Sequence, residues 1–170
     1  MEQAEPIPAI LTNDGRQSAA AAAIQRGVQR TLRELGFASL CELSLPNGRR
    51  ADIVALGPKS EIWIVEIKSC REDFQVDQKW PEYLGFCDTF FFAVDQDFPA
   101  ELIPSECGLM LADRFAGEIM RQVSPMPLAA ARRKAMVARF ARSAALRLQT
   151  LTDPGNDLRQ GMGSGAARLL

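Results

Sequence analysis

Apolar and polar positions alternate most clearly between Arg49 and Cys70, where RRADIVALGPKSEIWIVEIKSC reads as two β-strands rich in Val and Ile and split by Gly57-Pro58. A hairpin loop over residues 57–61 sets Leu56 opposite Ile62, so antiparallel partners have numbers adding to 118 and Asp52 faces Glu66. Lys68, two positions beyond Glu66, falls on the same side of its strand. The preceding LPNGR suits a tight hairpin, with Pro46 and Asn47 in the turn and Gly48 where a left-handed conformation closes it. Partners there add to 94, which sets Glu42 opposite Asp52. Three carboxylates from three adjacent strands are thus expected on one face, with Leu43, Leu45, Ala51, Ile53, Ala55, Trp63, Val65 and Ile67 forming core on the other.

The remaining pattern surrounds this meander. Ile24, Val28, Leu32 and Leu35 recur at helical spacing, and the alanine run Ala19 to Ala23 and the stop at Gly36 predict a helix over 17–35. Residues 71–86 read as helix broken by Pro81: a short helix over 72–79 and a second beginning near Trp80. Thr89 to Val94, TFFFAV, suits a strand buried on both faces and parallel to a neighbour. Residues 108–113 predict a further strand and 119–123 an edge strand beside it. Met136, Val137, Phe140, Ala144 and Leu148 predict a long helix over 127–151. This is an α/β chain of one domain, residues 16–152, between a flexible start (1–15) and a flexible Gly-rich tail (153–170).

Composition narrows the chemistry. The chain has no histidine, which removes Ser-His-Asp and Cys-His catalysis, H-E-x-x-H proteases and Cys/His zinc fingers. A carboxylate-and-lysine site survives that filter. Cys41, Cys70, Cys87 and Cys107 show no C-x-x-C spacing and read as buried free thiols in a reducing compartment. No apolar run approaches the ~18 residues of a membrane span, so the expected location is cytoplasmic, and nucleoid-associated if the partner is DNA. The net charge of −1 hides an asymmetry: residues 119–152 carry seven basic and no acidic residues, whereas residues 1–118 carry 11 basic and 19 acidic ones. Six of the seven lie on the last predicted helix, where like charges repel unless an outside anion such as DNA phosphate relieves them. A solvated helix face balancing the acidic body is the plainer account.

Directly opposed Cβ atoms on antiparallel strands stand only about 4.5–5.5 Å apart, so Asp52 beside Glu66 and Glu42 calls for compensation, and a hard divalent cation suits oxygen ligands. Asp52 followed by Glu66-Ile67-Lys68 resembles the PD-(D/E)XK nuclease superfamily, whose core order is αβββαβ. The segments PNGRRAD, EIKS and DFQVDQKWPEYLGFCDTFFFAV further resemble the MmcB-like family of DNA repair proteins, over roughly residues 24–148. The resemblance implies a restriction-endonuclease-like core with a mixed central sheet flanked by helices, plus an added basic C-terminal helix. It implies Mg²⁺ or Mn²⁺ held by Asp52, Glu66 and the Ile67 backbone carbonyl, with Glu42 as a further ligand. In many superfamily members an acid on the first helix helps to bind metal; here Glu34 stands near the end of that helix, and Glu42 takes the place instead.

Lys68 would then orient the attacking water or stabilise the transition state. Residues following the E-x-K strand overlook the site: Asp73, Asp77, Gln78, Lys79 and Tyr83. The resemblance gives Lys79, Trp80 and Tyr83 a part in positioning substrate or water; core packing is the alternative for Trp80 and Tyr83. Gln78, Arg50, Arg132, Arg133 and Lys134 complete the expected substrate contacts. The function so implied is metal-dependent hydrolysis of DNA phosphodiester bonds in repair. Two other readings remain: a non-catalytic DNA-binding or recruitment factor that keeps the nuclease fold, and a protein-interaction scaffold built on the last helix.

Overall fold

The structure, a computed structural model, describes residues 18–71, 74 and 79–154. Helix α1 (Ala19–Glu34) begins at Ser18, whose side chain accepts the Ala21 N–H at 3.1 Å, and it ends in a Schellman turn. There the Phe37 N–H donates to Leu32 O, the Gly36 N–H donates to Arg33 O, and Gly36 takes φ 85°. Six strands follow: β1 (Ala38–Ser44), β2 (Arg50–Leu56), β3 (Ile62–Ile67), β4 (Thr89–Val94), β5 (Gly108–Ala112) and β6 (Gly117–Arg121). Helix α2 (Ala130–Thr152) closes the described chain.

The strands lie in chain order in one mixed sheet, β1-β2-β3-β4-β5-β6. β1, β2 and β3 form an antiparallel meander, β4 runs parallel to β3 and β5 to β4, and β6 turns back against β5. Both expected registers hold: Leu56 pairs with Ile62, and Leu43 pairs with Ala51. β4 is buried at all six positions, as a central parallel strand should be. The architecture agrees with the expected restriction-endonuclease-like core.

Both faces of the sheet are covered. Ile24, Val28 and Leu32 of α1 pack on Ile53, Ala55, Val65, Phe91, Ala93 and Met110. Gly27 lets α1 approach the β5–β6 turn so closely that a Cβ there would stand 2.1 Å from Asp113 O. On the opposite face Val54, Ile64, Phe90 and Phe92 pack with Tyr83, Met136 and Phe140. The expected division of the meander into an acidic face and an apolar face needs correction here. Leu43, Leu45 and Ala51 belong to the second cluster, not with Ile53 and Ala55, because the paired strands roll over at Glu42, which has φ 54°. A single left-handed residue inverts the alternation that follows it.

Local differences have local causes. The segment from Trp80 to Phe86 is a 3-10 helix with Pro81 in its first turn, where the missing N–H costs nothing. The short helix expected over 72–79 lies largely outside the described residues, as do the two ends expected to be flexible, except for Asp153 and Pro154. α2 starts three residues later than Pro127, and β6 starts two residues before the expected edge strand. Among the described residues no helix is long and apolar enough to cross a membrane.

α2 buries only Met136 and Phe140 deeply, and much of its attachment is polar. Asp88, 6% exposed, accepts the Ile62 and Leu128 N–H groups and both ends of the Arg133 guanidinium at 2.6 Å. Arg132 donates to Gly85 O, Arg139 to Ser44 O, and Arg147 to Cys41 O and Glu42 O. Arg121, ahead of the helix, donates to the carbonyls of Ile103, Pro104 and Cys107.

Candidate active site

Asp52 and Glu66 meet where the β2–β3 ladder opens. Regular pairing stops at Ile53 and Val65; beyond it the two acids replace backbone acceptors. Asp52 Oδ2 accepts the Ile67 N–H at 2.8 Å, and Glu66 Oε1 accepts the Asp52 N–H at 3.0 Å. The two carboxylates therefore each accept a backbone N–H of the neighbouring strand. Glu66 is 5% exposed and Lys68 7%. The Lys68 N–H donates to Ala93 O on β4, which fixes the end of the E-x-K strand against the parallel half of the sheet. Ser69, next in the chain, accepts from the Ser18 hydroxyl, so the start of α1 stands at this same end.

The electrostatics are unbalanced. Loss of surrounding water pushes the Asp52 carboxyl above its usual range, Glu42 pushes it the same way, and the Ile67 N–H, Lys68 and Arg50 pull against them. Despite two nearby cations and a backbone donor, the net direction is upward. All four cysteines are free, but only Cys87 and Cys107 are fully buried, whereas Cys41 and Cys70, expected to be buried, are partly exposed; loss of surrounding water pushes the Cys41, Cys87 and Cys107 thiols up to about 12.

The expected third carboxylate differs. Glu42 pairs with the Arg50 guanidinium, and among the described residues no three acidic or cysteine side chains come together as a metal-holding group. Glu42 is near enough to raise Asp52 but is turned to Arg50 by its left-handed backbone, a conformation that costs roughly 1 kcal/mol or more for a non-glycine residue. The same ion pair engages Arg50, which was expected to meet substrate.

Other residues of the expected substrate set make internal contacts. Tyr83 is buried against Phe90, with ring centroids 5.8 Å apart, and its hydroxyl donates to Arg50 O. Trp80 packs on Phe90 and Phe92, so core packing, the alternative reading of both rings, is what the structure shows. Arg133 is committed to Asp88 and Ser60 O, and Arg132 to Gly85 O and the face of Phe86. Backbone carbonyls and Asp88 meet four of the six basic side chains of this helix. Lys134 is exposed and, among the described residues, makes no hydrogen bond or ion pair; Lys79 is exposed at the head of the 3-10 helix. Asp73, Asp77 and Gln78 lie outside the described residues.

Asp88 and Arg147 went unnoticed in the sequence. Asp88 sits alone before TFFFAV, and Arg147 is 105 residues from the Glu42 carbonyl it binds; no local pattern links them.

Hard oxygen donors from Asp52 and Glu66, with one oxygen of each taken by a backbone N–H, fit Mg²⁺ or Mn²⁺. Mg²⁺ is commonly held by one or two carboxylates, with water and substrate phosphate completing the shell. A two-carboxylate site is sufficient for it.

No curated protein matches the chain. A solved structure with the same fold is SPO1766, a protein of unknown function from Silicibacter pomeroyi, at 47% identity and a TM-score of 0.78, the match covering 88% of this chain and 99% of that one. Residues 9–155 match the family described as DNA repair protein MmcB-like, and the chain therefore belongs to the MmcB-like family of DNA repair proteins.

Proposed function

We propose that this protein is a divalent-cation-dependent deoxyribonuclease acting in DNA repair, with Asp52, Glu66 and Lys68 as its catalytic residues. The observation that carries the reading is the crossed pair of carboxylates at the open end of the β2–β3 ladder, where Asp52 is held above its usual range with Lys68 beside it. Burial and the neighbouring Glu42 make the charged form of Asp52 costly there, and the place is built from hard oxygen ligands. Mg²⁺ or Mn²⁺ bound there supplies a lowered pKa for water and neutralises charge at a phosphoryl oxygen.

The chain's own residues do the rest. Burial of Glu66 and Lys68 keeps bulk water from screening them, so each charge acts strongly at short range. The Ile67 N–H and the Asp52 N–H lock the two carboxylates before substrate arrives, which lowers the reorganisation needed for reaction. Lys68 stabilises negative charge on the phosphate or orients the attacking water. Water adds at phosphorus as the bridging O3′–P bond breaks, leaving a 5′-phosphate and a 3′-hydroxyl. Lys79 and Lys134 are exposed basic residues of the expected set, as are Arg50 and Arg132, and all four are suited to backbone phosphate and not to reading bases.

The test is incubation of the purified protein with single-stranded, nicked and branched DNA, with Mn²⁺ or with chelator. Cation-dependent strand breaks are expected, and Asp52→Asn should lower cleavage about a thousand-fold, the several kcal/mol that metal-assisted phosphate chemistry draws on. Cleavage by Asp52→Asn at the wild-type rate would remove Asp52 from the mechanism. The Glu42–Arg50 pair favours a second reading, a DNA-binding or recruitment factor that keeps the fold without cutting. It predicts DNA affinity indifferent to Mg²⁺ and no strand breaks.

A further inference from the structure

Glu42 is one of two non-glycine residues in the described chain with positive φ, and it lies inside a β-strand, not in a turn. In an extended strand successive carbonyls point to opposite sides. At Glu42 the left-handed backbone instead delivers two successive carbonyls to one guanidinium: Arg147 Nη1 donates to Cys41 O at 2.5 Å, and Nη2 donates to Glu42 O at 3.0 Å. The planar fork of arginine suits two neighbouring acceptors, which a single ammonium does not span. At the same residue the side chain meets Arg50 and raises Asp52, and the faces of both strands exchange.

We infer that Arg147 is a positioning residue for the acid site: its guanidinium holds the left-handed backbone of Glu42 and so keeps the Glu42 carboxylate beside Asp52 and on Arg50. This rests on the reading of Asp52 and Glu66 as a cation-holding pair. Without Arg147, the Glu42 backbone relaxes toward the extended region that L-residues prefer, and its carboxylate leaves the neighbourhood of Asp52. The site then loses negative charge and Arg50 loses its partner. Supporting partners of this kind change metal affinity by about 10–100-fold when removed.

Two readouts test this in the full chain. The first is the intraresidue amide–Hα nuclear Overhauser effect at Glu42, which is strong for a left-handed φ and weak for an extended one. The second is Mn²⁺ affinity by titration calorimetry, without DNA. Arg147→Ala should weaken the Overhauser effect and lower Mn²⁺ affinity about ten-fold. Arg139→Ala, which removes a comparable bond from the same helix to Ser44 O, should change neither. If Arg147→Ala does not fold, Arg147→Lys keeps the charge and stem but not the fork and should move both readouts the same way. A left-handed Glu42 retained without Arg147, unchanged Mn²⁺ affinity, or an equal loss in Arg139→Ala overturns the inference. Absence of Mn²⁺ binding by the wild-type protein sinks the cation reading instead, and the Overhauser effect alone then decides whether Arg147 holds Glu42.

Discussion

Asp52 carries a charge that the fold makes costly. Its carboxyl is raised above the ordinary value, so between that value and the folded one the native state binds more protons than the unfolded chain, and stability falls as pH rises through this window. Asp52→Asn keeps an oxygen to accept the Ile67 N–H and removes the charge. Its melting temperature should therefore exceed that of the wild type at pH 7, and the gap should close below the ordinary Asp value of about 4, as thermal scans across pH would show. A lower melting temperature for Asp52→Asn at pH 7 would contradict this account. Asp88 works the other way. Burial raises it, but Arg133 and the Ile62 and Leu128 N–H groups outweigh burial and hold it below its usual range. The stability it contributes is present above the ordinary value and is lost as pH falls through the depressed folded value. Asp88→Ala leaves Arg133 without its partner and should cost about 3 kcal/mol in urea unfolding at neutral pH, with a smaller difference in strong acid.

At the level of elements, α1 shows how packing overrides propensity. Ala in place of Gly27 would favour an isolated helix by about 1 kcal/mol. Here the new methyl would meet two backbone carbonyls, Asp113 O at 2.1 Å and Ala116 O at 2.4 Å, and backbone cannot swing aside as a side chain can. Gly27→Ala should destabilise the protein by about 2 kcal/mol net, or roughly 5 °C in a thermal melt, and no change or a gain would mean that α1 sits further from the sheet. Both hairpins could be read from sequence because Asn47-Gly48 and Gly57-Pro58 are local turn signals, and TFFFAV announced itself as a buried strand by having no polar side. The inversion at Glu42 could not, since nothing in glutamate favours a left-handed strand residue and its cause lies on a distant helix. Crossed hydrogen bonds from Asp52 and Glu66 to opposing strands were equally hidden. Parity alone brought the two acids together, but it counted Glu42 as a third ligand and missed that Arg50 claims it.

Across the whole molecule, the basic stretch of residues 119–152 largely serves its own backbone. Arg121, Arg132, Arg133, Arg139 and Arg147 all donate to carbonyls or to Asp88, which leaves Lys134 and Arg142 as the basic residues of that region with no hydrogen bond or ion pair among the described residues. Each phosphate contact adds about 0.9 to the slope of log affinity against log salt. The double substitution Lys134→Ala, Arg142→Ala should therefore reduce the slope for DNA by about two at most, and a larger drop would show that the substitutions disturb more than their own phosphate contacts. Sequence alone summed these charges as a local excess of seven, because pairing over a hundred residues of separation leaves no trace in local composition.

The outermost strand β1 would ordinarily present bare acceptors to any passing chain. The guanidiniums of Arg139 and Arg147 occupy the carbonyls of Cys41, Glu42 and Ser44, and on the far side of the sheet the Thr31 hydroxyl occupies both polar groups of Gly117. A protein clipped within α2 ahead of Arg139 would shed the first of these guards and offer β1 to its copies, so proteolysis there should end in fibrillar deposits instead of a shorter soluble product.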